Sequence, residues 1–230
     1  MSLNIPYQSV NFENDCLLFH DLTQTNREQL LQISRLKTLS KQQYLVMQTT
    51  PADKLFNIVS GVATVEKISS NGRRQVISFL FPGDFVGLSH SDTYEYNIKS
   101  LSDLTVYEFK RKDLSSLSEE IPRLKMNLKN IDSLVLSIAL EQVYLLGQLK
   151  AYERICFLLS QLLKRIPDAS PEKIELPMSR NDIADYLGLT VETVSRSISQ
   201  LKRDGVISTL SPNCICILKL DTIEELAATD

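Results

Sequence analysis

LPMSRNDIADYLGLTVETVSRSISQLKRDGVI, residues 176–207, carries the signals of two short helices joined at a sharp corner. Ser179 offers the hydroxyl of a helix N-cap, and Asp182, three residues on, is a short version of the reciprocal capping partner. Ile183 and Leu187 recur on one side, Ala184 is small enough for a second helix to approach, and Gly188 can take the left-handed conformation that ends a helix. Thr190 can cap a second helix whose inner face is Val194, Ile198 and Leu201, with Leu189 continuing that core and Asp204-Gly205 closing it. The spacing predicts a helix-turn-helix, a unit that projects the start of its second helix into the major groove of DNA.

Glu192, Ser195 and Arg196 stand at i, i+3 and i+4 of that second helix and so form one patch on its outer face. A carboxylate accepts from the exocyclic amine of cytosine, a guanidinium donates twice to guanine or once to a phosphate, and a serine does either at short range. A solvated face with an intrahelical Glu-Arg pair is the other reading of the same residues. The helix-turn-helix spacing before them favours base reading. Downstream, Val206-Ile207-Ser208 and Cys214-Ile215-Cys216-Ile217 flank Ser211-Pro212-Asn213, which reads as a strand, turn and strand, a wing beside the recognition helix. Cys214 and Cys216 share a strand face, but two thiols do not complete a tetrahedral metal site, so no metal is expected.

Upstream, YERICFLLSQLLKRI (152–166) reads as an amphipathic helix, and Gly147 with the stretch GQLKA places a hinge at 147–151. Before it, Leu124, Leu128, Ile131, Val135, Ile138, Gln142, Leu145 and Leu149 alternate at spacings of four and three, the seam of a coiled coil. A helix packed inside one subunit gives the same pattern. Leu134, Leu136, Leu140 and Val143 widen the stripe, so one side can face the rest of the chain and the other a second copy. From about residue 40 to 110 the runs VATVEKI, QVISFLF and DLTVYEF predict strands. Asn71-Gly72 suits the two positive-φ positions of a tight hairpin, and Phe81-Pro82-Gly83-Asp84 suits a type II turn. Such strands predict a small antiparallel barrel or jelly roll. A helix over 25–36, with Leu30, Leu31 and Ile33 on its buried side, precedes them.

Composition bounds the function. With 230 residues, 43% of them hydrophobic and 23% charged, the chain can bury a sizeable core. No apolar run reaches the roughly 18 to 20 residues that span a bilayer, and MSLNIPYQSV lacks the basic-then-apolar pattern of a leader, so a cytoplasmic protein without membrane attachment is expected. Cys16, Cys156, Cys214 and Cys216 are too dispersed for a disulfide framework. The formal net charge of -3 gives no global attraction to nucleic acid, so DNA binding has to come from local placement. No constellation of nucleophile, base and orienting group emerges, so no catalytic residues and no enzymatic activity are expected.

Taken together, the chain resembles transcription regulators of the cAMP receptor protein and fumarate-nitrate reduction regulator (Crp/Fnr) superfamily, and residues 176–207 are especially similar to its fumarate-nitrate reduction and nitrogen-fixation branch. The resemblance implies an α+β chain: an N-terminal antiparallel β-roll of the cyclic-nucleotide-binding type (1–118), a long dimerisation helix with its hinge (119–149), and a C-terminal winged helix-turn-helix (150–230). It implies that Glu192, Ser195 and Arg196 read a TTGAT-like half-site, with Thr190, Ser179 and Arg180 completing the DNA-contacting set. A second protomer would read the inverted copy, joined through Leu124, Leu128, Ile131, Val135, Ile138, Gln142 and Leu145. Val191 stands where the cAMP receptor branch carries a further arginine, which argues against that branch's TGTGA contact.

Relatives that bind cyclic nucleotide carry a glutamate for the ribose and an arginine-serine pair for the phosphate. Here no glutamate follows Gly87 at that spacing, and Tyr96-Asn97 occupies roughly the arginine-serine place. A phosphodiester without a guanidinium would be an unpaired buried charge, so cyclic nucleotide is not expected. Only Cys16 lies near the clustered cysteines of iron-sulfur members, and Tyr107 stands near the later ligand, so no cluster is expected. His20 or His90 could in principle hold a haem, though each reads as a surface histidine; two histidines are too few for a metal-dependent cupin enzyme. The loop Ile68 to Arg74 resembles the surface through which relatives touch RNA polymerase, but Arg73 falls about where the fumarate-nitrate reduction regulator has an acidic residue, a departure that argues against the same contact. The expected function is a homodimeric, sequence-specific transcription regulator, an activator that binds double-stranded DNA and RNA polymerase and has no resident cofactor. The competing expectation is a module that binds a haem or other small effector and acts through protein contacts.

Overall fold

The computed structural model describes residues 16–166 and 169–228; the expectation of no leader at residues 1–10 lies outside them. A 3-10 turn, Leu17–Phe19, leads to α1 (Gln24–Gln32) and then to strands β1 (Ser34–Leu39), β2 (Tyr44–Val46), β3 (Lys54–Ser60), β4 (Ala63–Ile68), β5 (Arg74–Leu80), β6 (Phe85–Val86), β7 (Asn97–Ser100) and β8 (Leu104–Lys110). Next come α2 (Arg111–Glu120), α3 (Pro122–Gln148), α4 (Ala151–Arg165), β9 (Ile174–Glu175), α5 (Arg180–Leu187), α6 (Val191–Arg203), β10 (Ile207–Ser211), β11 (Cys214–Ile217) and α7 (Leu220–Ala227). The chain divides into two compact units inside α3, after Leu136.

In the N-terminal unit two antiparallel sheets, ordered β1-β8-β3-β6 and β2-β7-β4-β5, form the roll. Period-two alternation in β4 sends Ala63 and Val65 into the core with Phe56, Ile58, Ile98 and Val106. Thr64 and Glu66 point to the other face, where the buried Glu66 carboxylate accepts from Arg74 Nε at 2.7 Å and Nη2 at 2.6 Å. The Phe81-Pro82-Gly83-Asp84 corner is the expected type II turn: Gly83 has φ 94° and Asp84 N–H donates to Phe81 O. At the other hairpin only Gly72 has positive φ. Its N–H donates to Ser69 O and Ser69 N–H to Arg73 O, so the loop is one residue wider than the predicted two-residue turn.

Two expectations shift in this unit. The helix predicted over 25–36 stops at Gln32, because Ser34 Oγ takes up Leu31 O and residues 34–39 pair with β8 from Ser34↔Phe109 to Leu39↔Leu104. Six backbone pairings outweigh the modest gain of another helical turn. The second shift concerns the long helix. Leu124 and Ile131 are buried, and with Leu128 they pack into a cluster with Phe19, Leu30, Phe109 and Leu114 of the same chain. Asn127 reinforces that face, donating through Nδ2 to Leu18 O and His20 O. Leu124 and Ile131 are therefore covered by their own chain, while Leu128 keeps part of its surface.

In the C-terminal unit the same face of α3 is again turned inward. Leu145 is buried and Gln142 Nε2 donates to Tyr186 O at 2.8 Å. Of the expected seam, Val135 keeps a large exposed surface. On the opposite side of the helix Leu136, Leu140 and Val143 are 61%, 61% and 69% exposed, with Tyr144 beside them. The two faces carry the same heptad period, so spacing alone does not distinguish them. The rest of this unit is a winged helical domain in which α4 packs against α6 and α7, and the sheet is ordered β10-β11-β9. Strand β9 and helix α7 add to the predicted helices and strand pair; Ile223 and Ala227 are the buried residues of α7.

Candidate nucleic-acid interface

The corner between α5 and α6 is built by the residue types that predicted it. Ser179 Oγ accepts from Asp182 N–H at 3.2 Å, and Ser179 N–H donates to Asp182 Oδ2 at 2.9 Å, closing the reciprocal box at the start of α5. Gly188 ends that helix in the left-handed region at φ 62°, with its N–H donating to Ala184 O. A Cβ there would also come within 3.1 Å of Leu146 Cδ2, so a side chain at this position adds a tight contact to the strain of the left-handed backbone. Thr190 Oγ1 accepts from Thr193 N–H at 3.2 Å and caps α6. Val194, Ser197, Ile198 and Leu201 are the buried side of that helix; Leu189 is half-buried.

Glu192, Ser195 and Arg196 are all exposed at the N-terminal half of α6, on the side away from its core. Arg196 Nη2 donates to Thr193 Oγ1 at 3.3 Å, so the threonine that bonds the cap also steadies the guanidinium. The Glu192 carboxyl is held below its ordinary range, first by a hydrogen bond from its own backbone N–H, then by the Thr190 hydroxyl and the charge of Arg196. It is therefore a carboxylate, an acceptor only, at neutral pH. Ser199 and Arg203 continue the exposed face one and two turns on. Sequence reading stopped short of them, although their i+3 and i+4 spacing from Ser195, Arg196 and Ser199 was a usable signal.

The remaining expected contacts play mixed parts. Ser179 and Thr190 are exposed caps whose hydroxyls already serve their helices. Arg180 is half-buried, and its Nη2 donates to Pro212 O at 2.8 Å, tying the start of α5 to the turn of the wing; desolvation lowers its pKa. On the other side of the wing Lys202 Nζ donates to Thr209 Oγ1 at 2.9 Å. The wing is thus pinned to both helices, with Leu210 67% exposed near its tip. Cys214 is buried and Cys216 half-exposed. Among the described residues no group of three or more His, Cys, Asp or Glu side chains is placed to hold a metal. No helix among them is long and apolar enough to cross a membrane.

One element was invisible from the sequence. Arg154, in the first turn of α4, donates from Nε to Leu149 O at 2.9 Å, from Nη2 to Leu146 O at 3.0 Å and from Nη1 to Leu187 O at 2.8 Å. The break between α3 and α4 does fall at Leu149 and Lys150, inside the predicted hinge, but the guanidinium bridges it.

A capped helix pair, a left-handed glycine corner, an exposed polar patch at the start of the second helix and a pinned wing define a DNA-binding winged helix-turn-helix. Comparison with known proteins agrees. Residues 153–226 match the Crp-like helix-turn-helix domain and residues 36–120 the cyclic nucleotide-binding domain. The chain is 34% identical over 179 residues to the transcriptional activatory protein AadR of Rhodopseudomonas palustris, covering 77% of this chain and 74% of that one. It is 33% identical over 209 residues to the transcriptional activator protein FnrL of Cereibacter sphaeroides, covering 87% and 84%. The solved structure of FixK2 from Bradyrhizobium japonicum superimposes with a TM-score of 0.80 at 30% identity, over 86% of this chain and 99% of that one. The chain belongs to the Crp/Fnr family of DNA-binding transcription regulators.

Proposed function

We propose that the protein is a homodimer that reads an inverted TTGAT-like repeat, each protomer placing Glu192, Ser195 and Arg196 against the base edges of one half-site. The observation that carries this reading is the joint exposure of a carboxylate, a hydroxyl and a guanidinium on the outward face at the start of α6. Their donor and acceptor characters suit cytosine N4 for Glu192 and guanine O6 and N7 for Arg196. Two half-sites one duplex turn apart, about 34 Å, call for two protomers. The face we assign to the second copy is Leu136, Leu140 and Val143, flanked by Val135 and Tyr144. Contiguous large apolar side chains at this exposure on a helix mark an interaction surface. The exposed loop Ser69–Arg73 is the surface we assign to RNA polymerase.

We infer further that the roll does not take a cyclic nucleotide. Tyr96 O–H donates to Leu88 O at 2.9 Å and Tyr94 O–H to Lys54 O at 2.6 Å, so both phenols are committed to holding the segment around Gly87. Asn97 Oδ1 accepts from Gln48 N–H at 2.8 Å. The nearby guanidinium, Arg111, donates to Ala52 O, Ser89 O and Gly87 O, so each of its nitrogens is already tied to a main-chain carbonyl. Gly87 itself has a packing reason, since a Cβ there would lie 2.9 Å from Lys54 O.

The test is fluorescence anisotropy of the full chain with a duplex carrying the inverted TTGAT repeat, a scrambled duplex of equal length, and the specific duplex with added cAMP. Tighter binding to the repeat, unaltered by cAMP, is expected. Equal affinity for the two duplexes would overturn the base-reading assignment, and a cAMP-dependent affinity would overturn the empty-handed roll.

A further inference from the structure

We propose that Arg154 and Gln142 form a latch that seats the recognition helix on the last turns of α3 and thereby sets the half-site spacing the protein accepts; this rests on the DNA-reading dimer proposed above. The carbonyls at the C-terminal end of a helix lack intrahelical partners and carry the negative end of its dipole. Arg154 places one guanidinium at two such ends, Leu146 O and Leu149 O at the end of α3 and Leu187 O at the end of α5. Gln142, on α3, donates to the adjacent Tyr186 O of α5, so two consecutive carbonyls of the α5 terminus are held from two sides.

The fit at this junction is close. The Gly188 Cβ position lies 3.1 Å from Leu146 Cδ2 and 3.6 Å from Arg154 Nη1, so backbone of the corner rests directly on α3 and on the guanidinium. Helix α6 begins at Val191, three residues beyond that glycine, and inherits its position from the corner. The link α3–α4 is only Leu149 and Lys150, and Arg154 closes it with two further bonds. Residues 137–148 of α3 and the helix-turn-helix are therefore one body, and a hinge at 147–151 is locked while the latch holds. If α3 joins the two copies, the latch determines where each α6 arrives on the duplex. Arg154 and Gln142 are positioning residues and touch no base.

Arg154→Met and Gln142→Met remove the donors while keeping an unbranched chain, and are compared with the parent chain by anisotropy on three duplexes: the inverted TTGAT repeat at its preferred spacing, and the same repeat with one base pair added or removed between half-sites. The parent chain is expected to discriminate against the altered spacings by 10-fold or more, and the variants by 3-fold or less. An equal loss on all three duplexes in a folded, dimeric variant overturns the latch, because a purely stabilising residue would act that way. A second measurement does not depend on DNA or on dimerisation. Nitroxides on Ser137→Cys and Ser199→Cys, in a Cys216→Ser background whose remaining cysteines are buried, report the α3 to α6 distance within one chain after dilution with unlabelled protein. Arg154→Met is expected to broaden a narrow distance distribution. An unchanged width overturns the latch, whereas broadening together with equal affinity for repeat and scrambled DNA overturns the operator reading, and with it the claim on spacing.

Discussion

Substituting Leu140 by alanine separates the two faces of α3. Leu140 is 61% exposed in the single chain, and full burial of a leucine side chain is worth about 1.5 to 3 kcal/mol, so covering the exposed part contributes about 1 to 2 kcal/mol per copy. A twofold interface contains the residue twice, and truncating it is expected to cost the dimer about 2 to 4 kcal/mol, a rise of roughly 30- to 1,000-fold in its dissociation constant. Folding of the protomer should change little, because the side chain has few neighbours to lose. Ile131→Ala is the contrasting variant. Ile131 is 4% exposed within its own chain, and its truncation is expected to lower folding stability by about 2 to 5 kcal/mol. Sedimentation equilibrium gives the dimer constant and thermal denaturation the folding stability. Leu140→Ala protein that dimerises as tightly as the parent chain would refute the assignment of this face.

Arg196→Ala should weaken binding to the TTGAT repeat by about 1 to 3 kcal/mol and relax the preference at one base position, with sedimentation unchanged; anisotropy on a set of single-base operator variants reads both. The depressed Glu192 pKa contributes stability that is present above the unfolded carboxyl value and lost as pH falls through the folded one, so its charge persists through mildly acidic solution. Discrimination at its base position should accordingly be flat from about pH 8 to about pH 5.5, and a loss in that window would refute an ionised reader. Alkylation followed by mass spectrometry should modify Cys216 first, since burial pushes the Cys156 thiol up to about 12 and the Cys16 thiol up to about 11. Gly188→Ala should destabilise the C-terminal unit by about 1 to 2 kcal/mol for the left-handed backbone alone, measured by denaturant unfolding.

How far the sequence spoke depended on how local each cause was. Ser179, Asp182, Gly188 and Thr190 act on backbone groups within four residues of themselves, and each sits where residue type alone placed it. The α3 stripe was legible as apolar on two sides, but not as to which partner each side meets. Period 3.5 identifies a face that packs but is silent about what packs on it, and Leu124 and Ile131 meet residues such as Phe19 and Phe109 from distant strands and turns. Residues 34–36 look helical in isolation and become strand only because β8 lies alongside. Arg154 could not have been found by type or spacing, since its acceptors are main-chain oxygens that every residue possesses.

That last property bears on how such a regulator could acquire new targets. Because the oxygens at Tyr186 and Leu187 stay in place whatever side chains follow, the outward positions of residues 192–203 can be exchanged freely without disturbing the seat beneath them. Altered operator preference and preserved mounting are in this way separable by mutation, and a grafted reading helix should inherit its alignment from the host.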